Sequence, residues 1–163
     1  MPGELEKILS EIAPRYRKIR SGLAIGFGDG AIVKTLAEFR GGVWMDADAS
    51  GELPFEDEQF EVVVIASNAL SRTMVREANR VLVSGGMMFF TVKEKTRSQE
   101  GFTPPEVYRM IREGFDIVSV NRPKWWYFGL KGRTLSVAGR KKAWREHKRP
   151  LANGAFLWTP MED

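Results

Sequence analysis

Residues 60–66 read Phe-Glu-Val-Val-Val-Ile-Ala, and this stretch decides the fold of the 163-residue chain. Its middle is a run of β-branched side chains, too apolar for a strand with one face in water. Such near-continuous apolar strands are typical of the centre of a parallel sheet whose two faces are both covered by helices. The stretch therefore predicts a buried central strand.

The segments on both sides of this strand alternate between strand-like and helix-like patterns. Strands that alternate with helices indicate an α/β fold with a mostly parallel sheet and helices on both faces. In chain order, the predicted elements are a helix over 4–20 that Pro14 breaks or kinks, a strand over 22–27, a helix that Gly41-Gly42 ends, strands over 42–46 and 60–66, a helix over 72–82, a turn at Ser84-Gly85-Gly86, a strand over 87–93, a loop over 94–103, a helix from about 105 to 113, and strands over 115–121 and 133–139.

The length of the chain predicts one domain over 1–163, with an N-terminal helical segment (1–20) and a basic C-terminal tail (140–163). The chain contains no cysteine, which excludes disulfides and thiolate metal sites and fits a cytoplasmic location. No apolar run approaches the roughly 20 residues that span a bilayer, so no membrane partner is expected. The single histidine, His147, is predicted to lie on the surface of the tail, and no metal site is expected.

The positive charge of the chain is unevenly distributed. The formal net charge is +4, and the cations concentrate in one cluster of Arg15, Arg17, Lys18 and Arg20 and in a second cluster from Arg140 to Arg149. Two interpretations stand. The clusters are either a solvated helix face and a solvated tail, or basic patches that bind RNA through its phosphates.

A glycine-rich segment, Gly26-Phe27-Gly28-Asp29-Gly30, lies between a predicted strand and a predicted helix. Glycines there allow a tight turn and let a ligand approach the backbone, and the following helix offers unpaired N–H groups. Asp46 ends the next strand, where an acid can accept hydrogen bonds from ribose hydroxyls. Because Gly26, Gly28 and Ala31 also satisfy the nicotinamide-cofactor fingerprint, this pattern alone does not choose between cofactors.

Two further segments carry a resemblance to a known family. Residues 52–64 (ELPFEDEQFEVVV) and 76–86 (REANRVLVSGG) resemble the signature of class I S-adenosylmethionine-dependent methyltransferases of the type 11-like group. In that family a Leu-Pro-Phe and an acidic turn lead into the fourth strand, and a later helix ends in Arg-Val-Leu-Lys-Pro-Gly-Gly. The resemblance covers about 21–93. It implies a Rossmann-like methyltransferase fold, S-adenosylmethionine as cofactor, and methyl transfer by direct displacement to an unidentified acceptor.

The resemblance also implies roles for individual residues. Its candidate site residues are Gly26, Phe27, Gly28 and Gly30 beside the methionine part of the cofactor, Asp46 on the ribose, Asp48 and Leu53 near the adenine, and Ser67 and Asn68 facing the methyl group and the substrate. A plain alternative stands against several of these roles. In these alternatives, Asp46 and Asp48 serve only as solvated turn residues, Asn68 caps the next helix through its side chain, and Leu53 belongs to the core.

The chain departs from the family pattern in three ways. Leu53 follows Asp46 by seven positions, where the family places a helix and another strand, so one helix-strand unit is missing. Ala24 stands where the family often has an acid near the cofactor's amino group, and Phe27 is bulky for a glycine loop. These departures leave a rival hypothesis, a non-catalytic methyltransferase-like module that binds protein or RNA. A nicotinamide oxidoreductase ranks third.

The region that contacts the substrate is less well defined by sequence. The candidates are residues 94–103 and the aromatic run Trp125-Trp126-Tyr127-Phe128. The aromatic run either lines the substrate mouth or stacks bases, or it serves core packing or the contact of a homodimer.

Overall fold

The computed structural model describes residues 3–28, 30–97, 99–121 and 134–142, and the backbone of 145–150 and 156–161. Its elements are α1 (Glu4–Ile12), β1 (Ser21–Ile25), α2 (Ala31–Arg40), β2 (Val43–Ala47), β3 (Phe60–Ile65), a 3-10 helix (Ser67–Ala69), α3 (Arg72–Val81), β4 (Leu82–Lys93), α4 (Pro104–Ile111), β5 (Phe115–Asn121), β6 (Thr134–Lys141), β7 (Arg145–Pro150) and β8 (Phe156–Met161). The predicted alternation of strands and helices is confirmed.

Six of these strands form one sheet in the order β2-β1-β3-β4-β6-β5. The first four are parallel, whereas β6 runs antiparallel to both β4 and β5. Strand β3 lies near the centre, and all of its side chains except Glu61 are buried. One apolar cluster joins one face of the sheet to α3 and α4, and a second joins the other face to α1 and α2. The α/β fold class with helices on both faces is therefore confirmed.

Strand β2 is one edge of this sheet, which is the expected consequence of the missing helix-strand unit. From Ala47 the chain reaches β3 through residues 48–59 without another helix or strand. Trp44 covers Gly22 of β1 on the α1/α2 face, and its indole N–H donates to the carbonyl of Gly41 at 3.0 Å. On the other face Val43 is 72% exposed and Met45 41% exposed. The apolar side chains of β2 are thus covered on one face only.

The predicted turn at 84–86 is wrong, because β4 runs through it. The pairing of β3 with β4 shifts register between Phe60 and Val62, and Gly85 adopts a φ of +77°. A glycine with positive φ lets a strand bulge locally and then resume its pairing. The same residues that predict a turn therefore form an irregularity inside one strand.

The two ends of the chain also differ in detail from the predictions. The predicted helix over 4–20 ends at Ile12, just before Pro14, since a proline cannot continue a helix. Within the predicted tail, β6 extends to Lys141 and β7 pairs antiparallel with β8. The aromatic run 125–128 lies outside the described residues. None of the described helices is long and apolar enough to cross a membrane.

Candidate functional site

The parallel strands β1, β2 and β3 end side by side, because their registers align Ile25 with both Ala47 and Ile65. The glycine loop, Asp46 and Ser67 therefore meet at one edge of the sheet, which we call the carboxyl edge. In open α/β sheets, ligands bind outside the carboxyl ends of the strands. The fold thus brings together the main candidates that the sequence scatters over about 40 positions.

Gly26 and Gly28 of the loop both adopt a positive φ, but the space around them differs. Gly26 has a φ of +78° and its N–H donates to the carbonyl of Ala47 at 2.8 Å. A Cβ added at Gly26 would collide with the Cβ of Ala69. Gly28 has a φ of +66°, and a Cβ added there would have no atom within 4 Å. Gly26 is therefore required for packing, whereas Gly28 presents its backbone to open space.

The rest of the loop leads into the start of α2. Phe27 is half-buried and packs against both apolar clusters, which anchors the loop across the end of the sheet. Gly30 is the N-cap of α2, has no side chain to satisfy the helix N–H groups, and has open space beside it. Unsatisfied N–H groups and the helix dipole favour an anion at such a position. Asp29 lies outside the described residues.

The two candidate acids at the end of β2, Asp46 and Asp48, face solvent, whereas Leu53 of the signature is buried. Asp46 pairs in register with Ala24, and both Asp46 and Asp48 are exposed. Within the described part of the chain, neither carboxylate has a hydrogen bond or an ion pair. Leu53 is 3% exposed and packs in the α3/α4 cluster, as its core interpretation expects. Its role as a cofactor contact stays a prediction.

A guanidinium group holds the acidic turn of the signature against α3. Arg80 donates to the carbonyls of Leu53 (3.0 Å) and Phe55 (2.7 Å), and it pairs with Asp57 and Glu77 at 2.9 Å each. Glu77 also accepts from the N–H of Leu53 at 2.8 Å. The hydrogen bonds from Arg80 are the main reason why the pKa of Glu77 lies below its usual value. This Arg80 clamp ties the two signature segments together where the chain is shortened.

The predicted acceptor-side residues lie just beyond β3. Ser67 is half-buried and Asn68 is exposed, both within the 3-10 helix. The alternative role of Asn68 as a helix cap is wrong, because Ser71 caps α3 by accepting from the N–H of Met74 at 3.1 Å. Asn68 is therefore left at the carboxyl edge without a capping role.

Glu4 joins this edge without any signal in the sequence. Its carboxylate accepts from the N–H of Ser67 at 2.5 Å and from the hydroxyl of Thr91 at 3.0 Å. The start of α1 therefore spans the ends of β3 and β4. Sequence reasoning missed this residue because 63 positions separate Glu4 from Ser67, and its acid is one of several in an ordinary first helical turn.

Two cations of the predicted basic patches are committed to internal contacts. Arg15 pairs with Glu11 at 2.9 Å and donates to Ser119 at 3.1 Å, which ties α1 to β5. Lys141 is 5% exposed and donates to the carbonyl of Leu82 at 2.7 Å, and burial lowers the pKa of its ammonium group. Neither side chain is a free surface cation, so the sequence clusters overstate the charge available for RNA.

No protein-family model matches the chain, and no curated protein sequence matches it. Solved structures do. A methyltransferase from Aquifex aeolicus superposes with a TM-score of 0.65 at 15% identity, over 84% of this chain and 89% of that one. The N-methyltransferase NodS from Bradyrhizobium japonicum, solved with S-adenosylhomocysteine, gives a TM-score of 0.58 at 18% identity, over 84% and 83% of the two chains. The [4+2]-cyclase SpnF gives a TM-score of 0.59 at 15% identity, over 84% and 80%.

These similarities establish the architecture. The chain has the Rossmann-like fold of class I S-adenosylmethionine-dependent methyltransferases, as its signature segments predict. One of the similar structures is a [4+2]-cyclase, so this fold supports more than one type of reaction. The function of a chain with this fold therefore depends on the residues of its site.

Proposed function

We propose that this chain is an S-adenosylmethionine-dependent methyltransferase that acts on an unidentified acceptor. The observation that carries the proposal is the carboxyl edge, where an open glycine backbone, an exposed acid and an exposed amide meet. The cofactor's sulfonium supplies an activated methyl group for direct displacement, so the protein needs to align the reactants more than to add reactive groups. A site without histidine or cysteine is consistent with that chemistry.

The open backbone supports binding of the cofactor at the glycine loop. Gly28 and Gly30 have free space where a side chain would stand, so a ligand can approach their N–H and carbonyl groups closely. Gly26 and Phe27 hold the loop in shape from beneath. In this proposal Gly28 and Gly30 would hold the methionine part of the cofactor, and the N-terminus of α2 would stabilise its carboxylate.

The exposed acids support the sugar and adenine contacts. Asp46 stands at the end of β2 next to the loop, and a carboxylate there can accept two hydrogen bonds from ribose hydroxyls. In this proposal Asp48, two residues after Asp46, would lie near the adenine. Since neither carboxylate has a partner among the described residues, both are available to a ligand.

Glu4 supports binding of the cofactor's ammonium group. Ala24 replaces the acid that the family often carries on β1, and its side chain is buried on the α1/α2 face of the sheet. Glu4 comes from α1 on that same face and reaches Ser67 at the end of β3. We infer that Glu4 supplies from another element the negative charge that position 24 lacks.

Ser67 and Asn68 are the acceptor-side residues of the proposal. Glu4 fixes the backbone of Ser67, while the exposed Asn68 side chain is free to donate and accept hydrogen bonds. Such a group can orient an acceptor atom toward the methyl group without itself reacting.

The shortened sheet favours one alternative, a non-catalytic binding module. Strand β2 is an edge of the sheet, and the short segment 48–52 that follows it contains no helix or strand. Val43 and Met45 of β2 are therefore exposed. A full-length relative would cover this side with a helix and a strand. In this alternative the wall around the adenine is too incomplete to hold the cofactor, and a partner protein or a second copy covers β2.

Calorimetric titration with S-adenosylhomocysteine decides between the two. We expect micromolar binding that Asp46→Ala weakens at least about tenfold, the scale of one lost charged hydrogen bond of about 1.5–3 kcal/mol. The matched control is Asp116→Ala, an exposed aspartate on β5 at the opposite edge of the sheet, which should leave binding unchanged. No heat at millimolar ligand would favour the binding module, and heat only with a nicotinamide cofactor would favour the oxidoreductase.

A further inference from the structure

A concave surface lies between α3 and α4. It is a groove of about 370 Å³ whose apolar floor includes Val75 and Phe115. The amide of Asn79 donates to the carbonyl of Gly114 at 2.8 Å, and both residues line the groove. The groove is therefore formed by two helices and the start of β5, and the hydrogen bond from Asn79 links α3 to the residue before β5.

Arginine side chains line both walls of this groove. Arg72 and Arg76 lie one turn apart on α3, and Arg109 and Arg112 lie on and just after the last turn of α4. All four are exposed, and within the described residues none of them makes a side-chain hydrogen bond or an ion pair. The acid that lines the groove with them is Glu113. The groove lining thus carries four positive charges against one negative charge, and none of the four arginines forms an ion pair with a described residue.

The contrast with Arg80 shows that this charge is not required by the fold. Arg80, one helical turn after Arg76, donates to carbonyl and carboxylate oxygens of the acidic turn. The groove arginines have no such contacts. Because no described residue holds them, they keep the rotamer entropy that a fixed long side chain would lose. Four free guanidinium groups around one groove point to an external anion.

We propose that this α3/α4 groove binds the phosphodiester backbone of a single-stranded nucleic acid. Guanidinium groups match phosphate oxygens with paired N–H donors, and all four cations here are arginine rather than lysine. Each neutralised phosphate releases a counterion and adds to affinity without regard to base sequence. The proposal is independent of cofactor binding at the carboxyl edge.

The surroundings of the groove indicate a long anion rather than a short one. At the Gly114 end, the carbonyl of Gly114 accepts from the N–H of Lys142 at 3.1 Å, just after β6. At the other end, Arg72 follows Asn68 by four positions and so lies near the carboxyl edge. A polyanion in the groove therefore comes close to Lys142 at one end and to the proposed acceptor side at the other.

Fluorescence anisotropy with labelled oligouridine of about 20 nucleotides tests the proposal, since this length exceeds the 4–16 nucleotides that single-strand sites typically cover. Neutralising four phosphates predicts an affinity loss of about 50-fold between about 50 and 200 mM salt. Arg72→Glu/Arg109→Glu should weaken binding at least about tenfold and roughly halve the salt slope. The matched control is Arg17→Glu/Lys18→Glu, which removes the same charge from two exposed cations of the N-terminal cluster and should change affinity much less.

Several outcomes would overturn the proposal. Binding that ignores salt, or an equal loss in the Arg17/Lys18 control, would mean that the groove is not the site. Stronger competition by polyglutamate than by unlabelled oligouridine would assign the groove to an acidic protein. Oligothymidine of equal length tests whether the ribose contributes to binding. Because the proposal rests on recognition of the phosphate backbone, we expect it to bind about as tightly as oligouridine. Thermal melting and S-adenosylhomocysteine titration of the same variants separate these results from misfolding and from failure of the proposed function.

Discussion

The Arg80 clamp and the carboxyl edge both lie within the region of about 21–93 that resembles methyltransferases, but their polar groups are used in opposite ways. In the clamp, Arg80 and Glu77 are satisfied by carboxylate and backbone partners within the chain. At the carboxyl edge, Asp46 and Asn68 face solvent, and Gly28 has empty space beside it. The signature residues of the clamp therefore stabilise the shortened fold, whereas the polar groups of the carboxyl edge are available to a ligand.

The sharpest form of this comparison is between two glycines of one loop. Gly26→Ala should give the largest loss, about 3 kcal/mol of unfolding free energy, because a positive φ and overpacking against Ala69 add together. Gly28→Ala should cost about 1 kcal/mol, from the positive φ alone, but should weaken S-adenosylhomocysteine binding. Urea denaturation and calorimetric titration of both variants test this. Equal stability losses would contradict the assignment of Gly26 to packing.

Arg80→Ala should give the next largest loss, about 2–3 kcal/mol of unfolding free energy. It removes the donor to the carbonyls of Leu53 and Phe55, and it leaves the carboxylate of Glu77 with the N–H of Leu53 as its remaining donor among the described residues. Arg76→Ala, on the preceding turn of α3, is the control, and it should change stability by less than about 0.5 kcal/mol because Arg76 is exposed. Chemical denaturation measures both. Similar values for the two variants would show that the clamp contributes nothing beyond helix surface.

Acid should loosen the clamp through Glu77. The pKa of Glu77 is lower in the folded chain than its ordinary 4.5, mainly because of hydrogen bonds from Arg80. Its stabilising contribution is therefore complete above the unfolded value and is lost as the pH falls through the folded one. Unfolding free energies measured between about pH 6 and pH 3 should decline less steeply in Glu77→Gln than in the parent chain. Identical slopes would contradict this role of Glu77.

Asp46→Ala should have the smallest effect on stability, less than about 0.5 kcal/mol, since the carboxylate is exposed and has no partner among the described residues. Thermal melting of the variant without ligand measures this directly. A large shift in melting temperature would place Asp46 with the clamp residues, as a structural group, and would weaken its proposed contact with the ribose.

The sequence predicted most of the fold because the relevant signals are local. The run 60–66 indicates a buried strand wherever the rest of the chain goes, and Pro14 ends α1 by its own geometry. Gly85 shows the limit, because positive φ suits a turn and a bulge equally well, and only pairing with β3 decides between them. The predicted alternative of Asn68 as the cap of the next helix failed because the N-cap of that helix lies three residues later, at Ser71.

The sequence by itself determined the alternation of elements and the shortened connection after β2, because both depend on local patterns and on the number of residues between them. Only the tertiary structure decided which charges are free. It buried Lys141, paired Arg15, carried Glu4 to Ser67 and gathered four arginines from two helices around one groove. The physical reason is that solvation and pairing of a charge depend on distances in space, which neighbouring positions in a chain do not specify.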